Sequence, residues 1–214
     1  MNARQQLLTS KLYGFTPDKY LKNRKILDVV EMQLKAGIDI IQLREKNMSD
    51  KEKYSLALEI KKLTLKYGKL FIVNDDPAIA KFSGADGVHI GQDDLDAKLC
   101  RELLGEDKII GLSTHNESQY IEGQNGCADY TAIGPVFATS TKENPAPVVS
   151  IEKIPEILKF KKKFTAAIGG INSKNIGLFA GLNVDCFAVV SDIVCSENIS
   201  CSVKTLKKII GDFK

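Results

Sequence analysis

The stretch Asp39-Ile-Ile-Gln-Leu-Arg-Glu-Lys46 begins apolar and ends charged. Read as a strand over 40–46, its side chains alternate, so Gln42, Arg44 and Lys46 share one face and Ile41 and Leu43 the other. An amide and two cations projecting together from the end of an apolar strand make a receptor for an anion. Other residues at the ends of short apolar runs join them: Asn74 and Asp75; His89, Gln92 and Asp94; Ser113; Thr139, Thr141 and Lys142; Gly169 and Gly170; Ser191. Asp75 and Asp94 facing a basic pair suit a hard cation such as Mg2+, which takes oxygen ligands, keeps waters and is often shared with phosphates. The plain alternatives are a turn and helix cap at Asn74-Asp75-Asp76-Pro77, and salt bridges from Arg44 and Lys46 to Asp75 and Asp94.

Those residues need a scaffold. Strand-like runs are expected at 11–16, 38–43, 70–74, 87–90, 109–113, 130–133, 164–168 and 186–190. Helix-like patterns follow at 23–35, 50–67, 77–82, 95–104, 116–123, 150–160, 173–180 and 202–213. Ser49 and Asp76 stand as N-caps, and Gly68, Gly105 and Gly181 close helices. The alternation by itself supports a parallel α/β fold, and eight strand–helix pairs point to a (β/α)8 TIM barrel. A doubly wound sheet is disfavoured because the first turn, Thr16-Pro17-Asp18, is no glycine-rich dinucleotide loop. In such a barrel the polar strand ends converge at one mouth. Gly169-Gly170 then opens a helix after strand 7, where free N–H groups and the helix dipole favour an anion, and Val190-Ser191 joins it. Two anion sites are expected: a metal-assisted one at strands 2 to 4 and a metal-free one at strands 7 and 8. The irregular segment 134–149 reads as a functional lid. His89, between Val88 and Ile90, should face the barrel interior; His115 reads as a loop or cap residue. No Cys–His or Ser–His–Asp spacing favours covalent catalysis.

Composition narrows the partners. The chain has 214 residues, 43% of them hydrophobic, enough for one well-buried domain. Its net charge of +3, from 30 basic and 27 acidic residues, makes no case for nucleic acid. The Lys161-Lys162-Lys163 run reads as a solvated helix end. Five cysteines without a CxxC pair point to reduced thiols and a cytoplasmic location. The first residues lack an apolar core of signal-peptide length, and no run approaches the ~20 apolar residues of a membrane span.

Taken together, Gln42-Leu-Arg-Glu-Lys46, Asn74-Asp75, Gly84-Ala-Asp-Gly-Val-His-Ile-Gly-Gln-Asp-Asp94, Gly111-Leu-Ser113, Asp129-Tyr130, Gly134-Pro-Val-Phe-Ala-Thr139-Ser-Thr-Lys142, Ile168-Gly-Gly-Ile171 and Ala188-Val-Val-Ser191 resemble the thiamine phosphate synthase family. The resemblance runs in order from strand 1 to strand 8. It implies an enzyme that joins an aminopyrimidine-methyl diphosphate to a thiazole phosphate, with Mg2+ as cofactor. By motif position, Gln42 would contact the pyrimidine, and Arg44, Lys46, Asn74 and Lys142 would hold the diphosphate. Asp75 and Asp94 would bind Mg2+. His89 and Ser113 would lie near the pyrimidine or the departing diphosphate. Thr139, Thr141, Gly170, Val190 and Ser191 would receive the thiazole phosphate. The resemblance also implies a homodimer. The chain departs from the family pattern in the loop Glu143-Asn-Pro-Ala-Pro-Val-Val-Ser150, and where Pro17-Asp18 follows the first strand. Rival readings are a thiazole tautomerase-like barrel, a non-catalytic phosphate-ligand binding barrel and a sugar-phosphate isomerase or epimerase. The first would not need the set of Arg44, Lys46, Asp75, Asp94 and Lys142; the second would keep the Gly169-Gly170 cradle while its Mg2+ ligands drifted, which Asp75 and Asp94 argue against; the third would need an acid–base pair that does not stand out.

Overall fold

Eight short runs of β-branched and aromatic residues form eight parallel strands, β1 to β8, in a computed structural model that describes residues 2–16, 20–21, 23–141 and 146–213. They are Leu12–Phe15, Ile40–Leu43, Leu70–Asn74, Gly87–Ile90, Ile109–Thr114, Tyr130–Ile133, Phe164–Ile168 and Cys186–Ala188. Each pairs with the next, and β8 pairs with β1, closing the barrel. Strand alternation sorts the core into two layers. Tyr13, Ile40, Ile72, Ile109, Tyr130, Phe164 and Ala188 fill the interior. Ile41, Leu43, Phe71, Val88, Ile110, Ile133 and Phe187 point outward and are covered by helices.

The helices, α1 to α9, are Ala3–Thr9, Ile26–Ala36, Asp50–Tyr67, Pro77–Phe82, Ala97–Leu104, Glu117–Asn125, Ile154–Leu158, Ser191–Val194 and Ile199–Gly211. The expected caps form: Ser49 and Glu52 make a reciprocal capping box on α3, and Asp76 accepts from Ile79 N–H at the start of α4. Two helices were not expected. Helix α1 adds Leu7 to the interior layer, and α8 starts directly after Val190. Strand β8 accordingly ends at Ala188 rather than Val190.

The helix expected directly after Gly169-Gly170 does not form. The side-chain amides of Asn172 and Asn175 both donate to the Gly170 carbonyl, and Asn175 Oδ1 accepts from Asn172 N–H. Local side-chain bonding of this kind competes with helix initiation. Only the 3₁₀ turn Ile176–Phe179 remains. The lysine run follows the end of α7 with Lys162 exposed, as expected, but all three side chains are also tethered. Lys161 bonds Asn183 and pairs with Asp185, Lys162 reaches Asn125, and Lys163 donates to the Gly126 and Ala128 carbonyls.

At the face opposite the mouth, one device recurs four times. Asp39, Asp86, Asp129 and Asp185 each precede an even-numbered strand and accept a backbone N–H from the odd-numbered strand before it, at Leu12, Phe71, Ile110 and Thr165. Each also pairs with a cation: Lys69, Lys61, Arg101 and Lys161. These charge-assisted bonds lock neighbouring strands in register. Among the described residues no helix is long and apolar enough to cross a membrane.

Candidate active site

Parity holds beyond the end of β2. Gln42, Arg44 and Lys46 all line a cavity of about 490 Å3 at the C-terminal mouth. Glu45 between them is buried and does not line it. Thr16 fixes this departure, because its hydroxyl accepts from Arg44 N–H at 3.1 Å and its own N–H donates to the Gln42 carbonyl.

Every described residue expected in the site lines this one cavity: Gln42, Arg44, Lys46, Asn74, Asp75, His89, Asp94, Ser113, Thr139, Thr141, Gly170, Val190 and Ser191. Lys142, with 143–145 of the atypical loop, and Pro17-Asp18 lie outside the described residues. The other lining residues include Tyr13, Phe15, Gln92 and His115. Tyr13 and Phe15 were legible as inward positions of strand 1 by parity, but their apolar bodies drew attention to packing instead. His115 lies in the loop between β5 and the Asn116 cap of α6, as expected, and its Nδ1–H donates to the Gly134 carbonyl at 2.6 Å, where the irregular segment begins.

The carboxylates sit together. Asp75 adopts a left-handed backbone with φ 63°, rare for a residue with a side chain, and its N–H donates to the His89 carbonyl at 2.8 Å. Although Asp75 is solvent-accessible at the rim, its carboxyl faces the crowded mouth. Desolvation and the adjoining Asp94 raise it from an ordinary 3.8 to about 6, while Lys46 and Arg44 pull it back down. Asp94 Oδ2 accepts from Gly91 N–H at 2.6 Å. Two carboxylates crowded against each other form a donor set that a hard cation relieves. No group of three or more metal-ligating side chains is gathered among the described residues, so a cation held here would keep water or ligand oxygens. The residues fit Mg2+.

The opposite side of the mouth is built on close backbone contact. A Cβ on Gly169 would fall 2.3 Å from Pro135 Cβ, and one on Gly170 would fall 2.5 Å from the Ala138 carbonyl. Both glycines also have positive φ, 101° and 63°. They therefore seat the 135–138 segment, aided by Val136 N–H to the Ile168 carbonyl and Phe137 N–H to the Gly169 carbonyl. This places Thr139 and Thr141, whose hydroxyls bond at 3.2 Å, along the same cavity as Gly170 and Ser191. Tyr20 secures the loop through the Ser140 carbonyl, and Val149 N–H closes its base on the Pro135 carbonyl.

Residues 12–193 match the family model for thiamine monophosphate synthase, spanning all eight strands and the mouth between them. The chain belongs to that family. It is 42% identical over 203 residues to a thiamine-phosphate synthase of Caldicellulosiruptor saccharolyticus, covering 95% of this chain and 92% of that one. A thiamine-phosphate synthase of Dictyoglomus turgidum is 41% identical over 217 residues, with 100% and 97% covered. The solved thiamine phosphate pyrophosphorylase of Pyrococcus furiosus superposes with a TM-score of 0.87 at 32% identity, covering 99% of both chains. The chain is thus an enzyme of the thiamine-phosphate synthase type, built on a closed eight-stranded barrel.

Proposed function

We propose that this enzyme joins 4-amino-2-methyl-5-pyrimidinylmethyl diphosphate to thiazole phosphate, giving thiamine phosphate and pyrophosphate. The observation that carries the reading is the union of two unlike sides in one cavity. Arg44, Lys46, Asn74, Asp75 and Asp94 line one side, and Thr139, Thr141, Gly170 and Ser191 the other. A diphosphate and a monophosphate need two such receptors.

Arg44 and Lys46 bind the diphosphate and face the charge that grows as it leaves. Asn74 adds an amide donor, and Lys142, by its place in the motif, a further cation. Asp75 and Asp94 would hold Mg2+, which when bound supplies charge neutralisation to the leaving pyrophosphate. The bond between the pyrimidine's methylene carbon and the diphosphate oxygen breaks, and its electron pair leaves with pyrophosphate. The aminopyrimidine ring stabilises the cation left behind, so the step is dissociative. The thiazole nitrogen's lone pair then forms the new carbon–nitrogen bond. No base is needed to free that lone pair, consistent with a site built from fixed charge and positioning.

The test is omission. With Mg2+ present, pyrophosphate coupled to thiamine phosphate should require both substrates. Isomerisation of thiazole phosphate alone, with no pyrophosphate released from the pair, would replace this reading with a tautomerase.

A further inference from the structure

Beneath the cavity runs a chain of buried polar contacts contributed by five strands. Gln42 Nε2 donates to the Tyr13 hydroxyl at 2.8 Å. The Tyr13 and Tyr130 hydroxyls lie 3.1 Å apart. Tyr130 lies 2.9 Å from His89 Nδ1, and His89 Nε2 lies 2.9 Å from Ser113 Oγ. The rings are held in place: Tyr13 stacks on Phe15 at 5.2 Å, and Tyr130 packs on both His89 and the edge of Phe164. Gly111 makes the crossing possible. It sits in register between His89 and Tyr130, and a Cβ there would fall 2.1 Å from the Tyr130 ring.

The Gln42 amide, whose Nε2 donates to Tyr13, gives the chain a direction. Burial pushes both phenols well above their ordinary value, so each keeps its single proton. Tyr13 receives a hydrogen bond from Gln42 and donates its own toward Tyr130. Tyr130 donates its hydrogen bond to His89 Nδ1. In the neutral imidazole the single hydrogen then stands on Nε2 and points to Ser113 Oγ. At one end, the Gln42 carbonyl oxygen is left as the amide's acceptor toward the cavity. At the other, the Ser113 proton is released from the chain.

We infer that Tyr13 and Tyr130 are positioning residues that lock this direction and so fix the acceptor face of Gln42 toward the pyrimidine. The choice of pyrimidine rests on the function proposed above; the direction of the chain does not. An exocyclic amine would meet an acceptor. The corresponding 4-oxo pyrimidine would set an acceptor against an acceptor and be rejected. A buried group left without its partner discriminates strongly between such analogues. Without the tyrosine hydroxyls the amide can turn over, and the distinction weakens.

Two readouts test this. The first is nitrogen NMR of the histidines in the ligand-free enzyme. The chain has two histidines, and His115→Gln isolates the His89 signal. His89 should carry its hydrogen on Nε2, and Tyr130→Phe, which keeps the ring but not the hydroxyl, should shift that population. The second is steady-state kinetics. Tyr13→Phe and Tyr130→Phe should each lower the preference for the amino over the oxo pyrimidine diphosphate by about tenfold. The KM for thiazole phosphate should stay unchanged. A His89 with its hydrogen on Nδ1 in the parent enzyme, or a Tyr130→Phe enzyme with unaltered imidazole signal and unaltered preference, would overturn the inference. Should the parent enzyme turn over neither pyrimidine, the function proposed above fails while the NMR arm still decides the direction of the chain. Should Tyr130→Phe not accumulate, Ser113→Ala supplies the imidazole readout, with a shift expected at Nε2 and an unchanged signal contradicting the chain.

Discussion

At the scale of single residues, the site concentrates like charge and then manages it. Asp75 is the clearest case, left-handed in its backbone and raised to about 6 beside Asp94. Asp75→Asn should lower turnover by roughly 10²–10³-fold while circular dichroism shows an intact fold; unchanged Mg2+-dependent turnover would remove Asp75 from the metal site. The direction of its shift also sets two pH dependences. The folded state holds the Asp75 proton more tightly than the unfolded chain, so this group's contribution to stability is present below about 4 and is lost as pH rises through about 6. Metal-free protein should therefore lose stability over that window, as read by denaturant midpoints. Proton and metal compete for the same carboxylate, so Mg2+ affinity measured by calorimetry should fall as pH drops below about 6. Sequence patterns exposed Asp75 and Asp94 because carboxylates at strand ends are conspicuous. They hid the contact between Tyr13 and Tyr130, whose aromatic bodies read as core and whose hydroxyls meet only across the closed barrel.

At the scale of elements, strand parity transferred well because alternation is local: Gln42, Arg44 and Lys46 share a face even though β2 ends at Leu43. The helix expected after Gly169-Gly170 did not transfer, because the Asn172 and Asn175 amides capture the Gly170 carbonyl. That changes the meaning of the glycine pair. Its first duty is to admit the 135–138 backbone, and any anion-holding role follows from where that backbone carries Thr139 and Thr141. Gly170→Val should raise the KM for thiazole phosphate about tenfold, roughly 1.4 kcal/mol of binding, and leave the KM for the pyrimidine diphosphate within about twofold. Equal effects on both substrates would mean the whole mouth had shifted. The aspartate clamps offer a contrasting case. Asp129 holds Ile110 N–H, Arg101 and Arg4 on the face away from the mouth. Asp129→Ala should cost about 2–4 kcal/mol in urea unfolding, with both KM values preserved. Their repeat was not apparent in the sequence, since each aspartate finds its backbone partner on the preceding odd-numbered strand.

At the scale of the whole molecule, barrel closure gathers residues from position 13 to position 191 around one cavity. Side chains that follow β2 to β4 thereby share one cavity with the 139–141 segment and Gly170. The fold was legible because eight strand–helix pairs leave few closed solutions, and the site because polar strand ends in such a barrel must converge. The details that escaped, α1 beneath the barrel and α8 beside the mouth, involve short segments whose form depends on tertiary contact. The most direct test is reconstitution with purified enzyme, Mg2+, the pyrimidine diphosphate and thiazole phosphate, measuring both products. The account predicts thiamine phosphate and pyrophosphate in equal amounts, abolished by chelation of the metal and restored by adding it back. Product formation that persists undiminished under complete chelation, or no thiamine phosphate with both substrates and Mg2+ present, would contradict it.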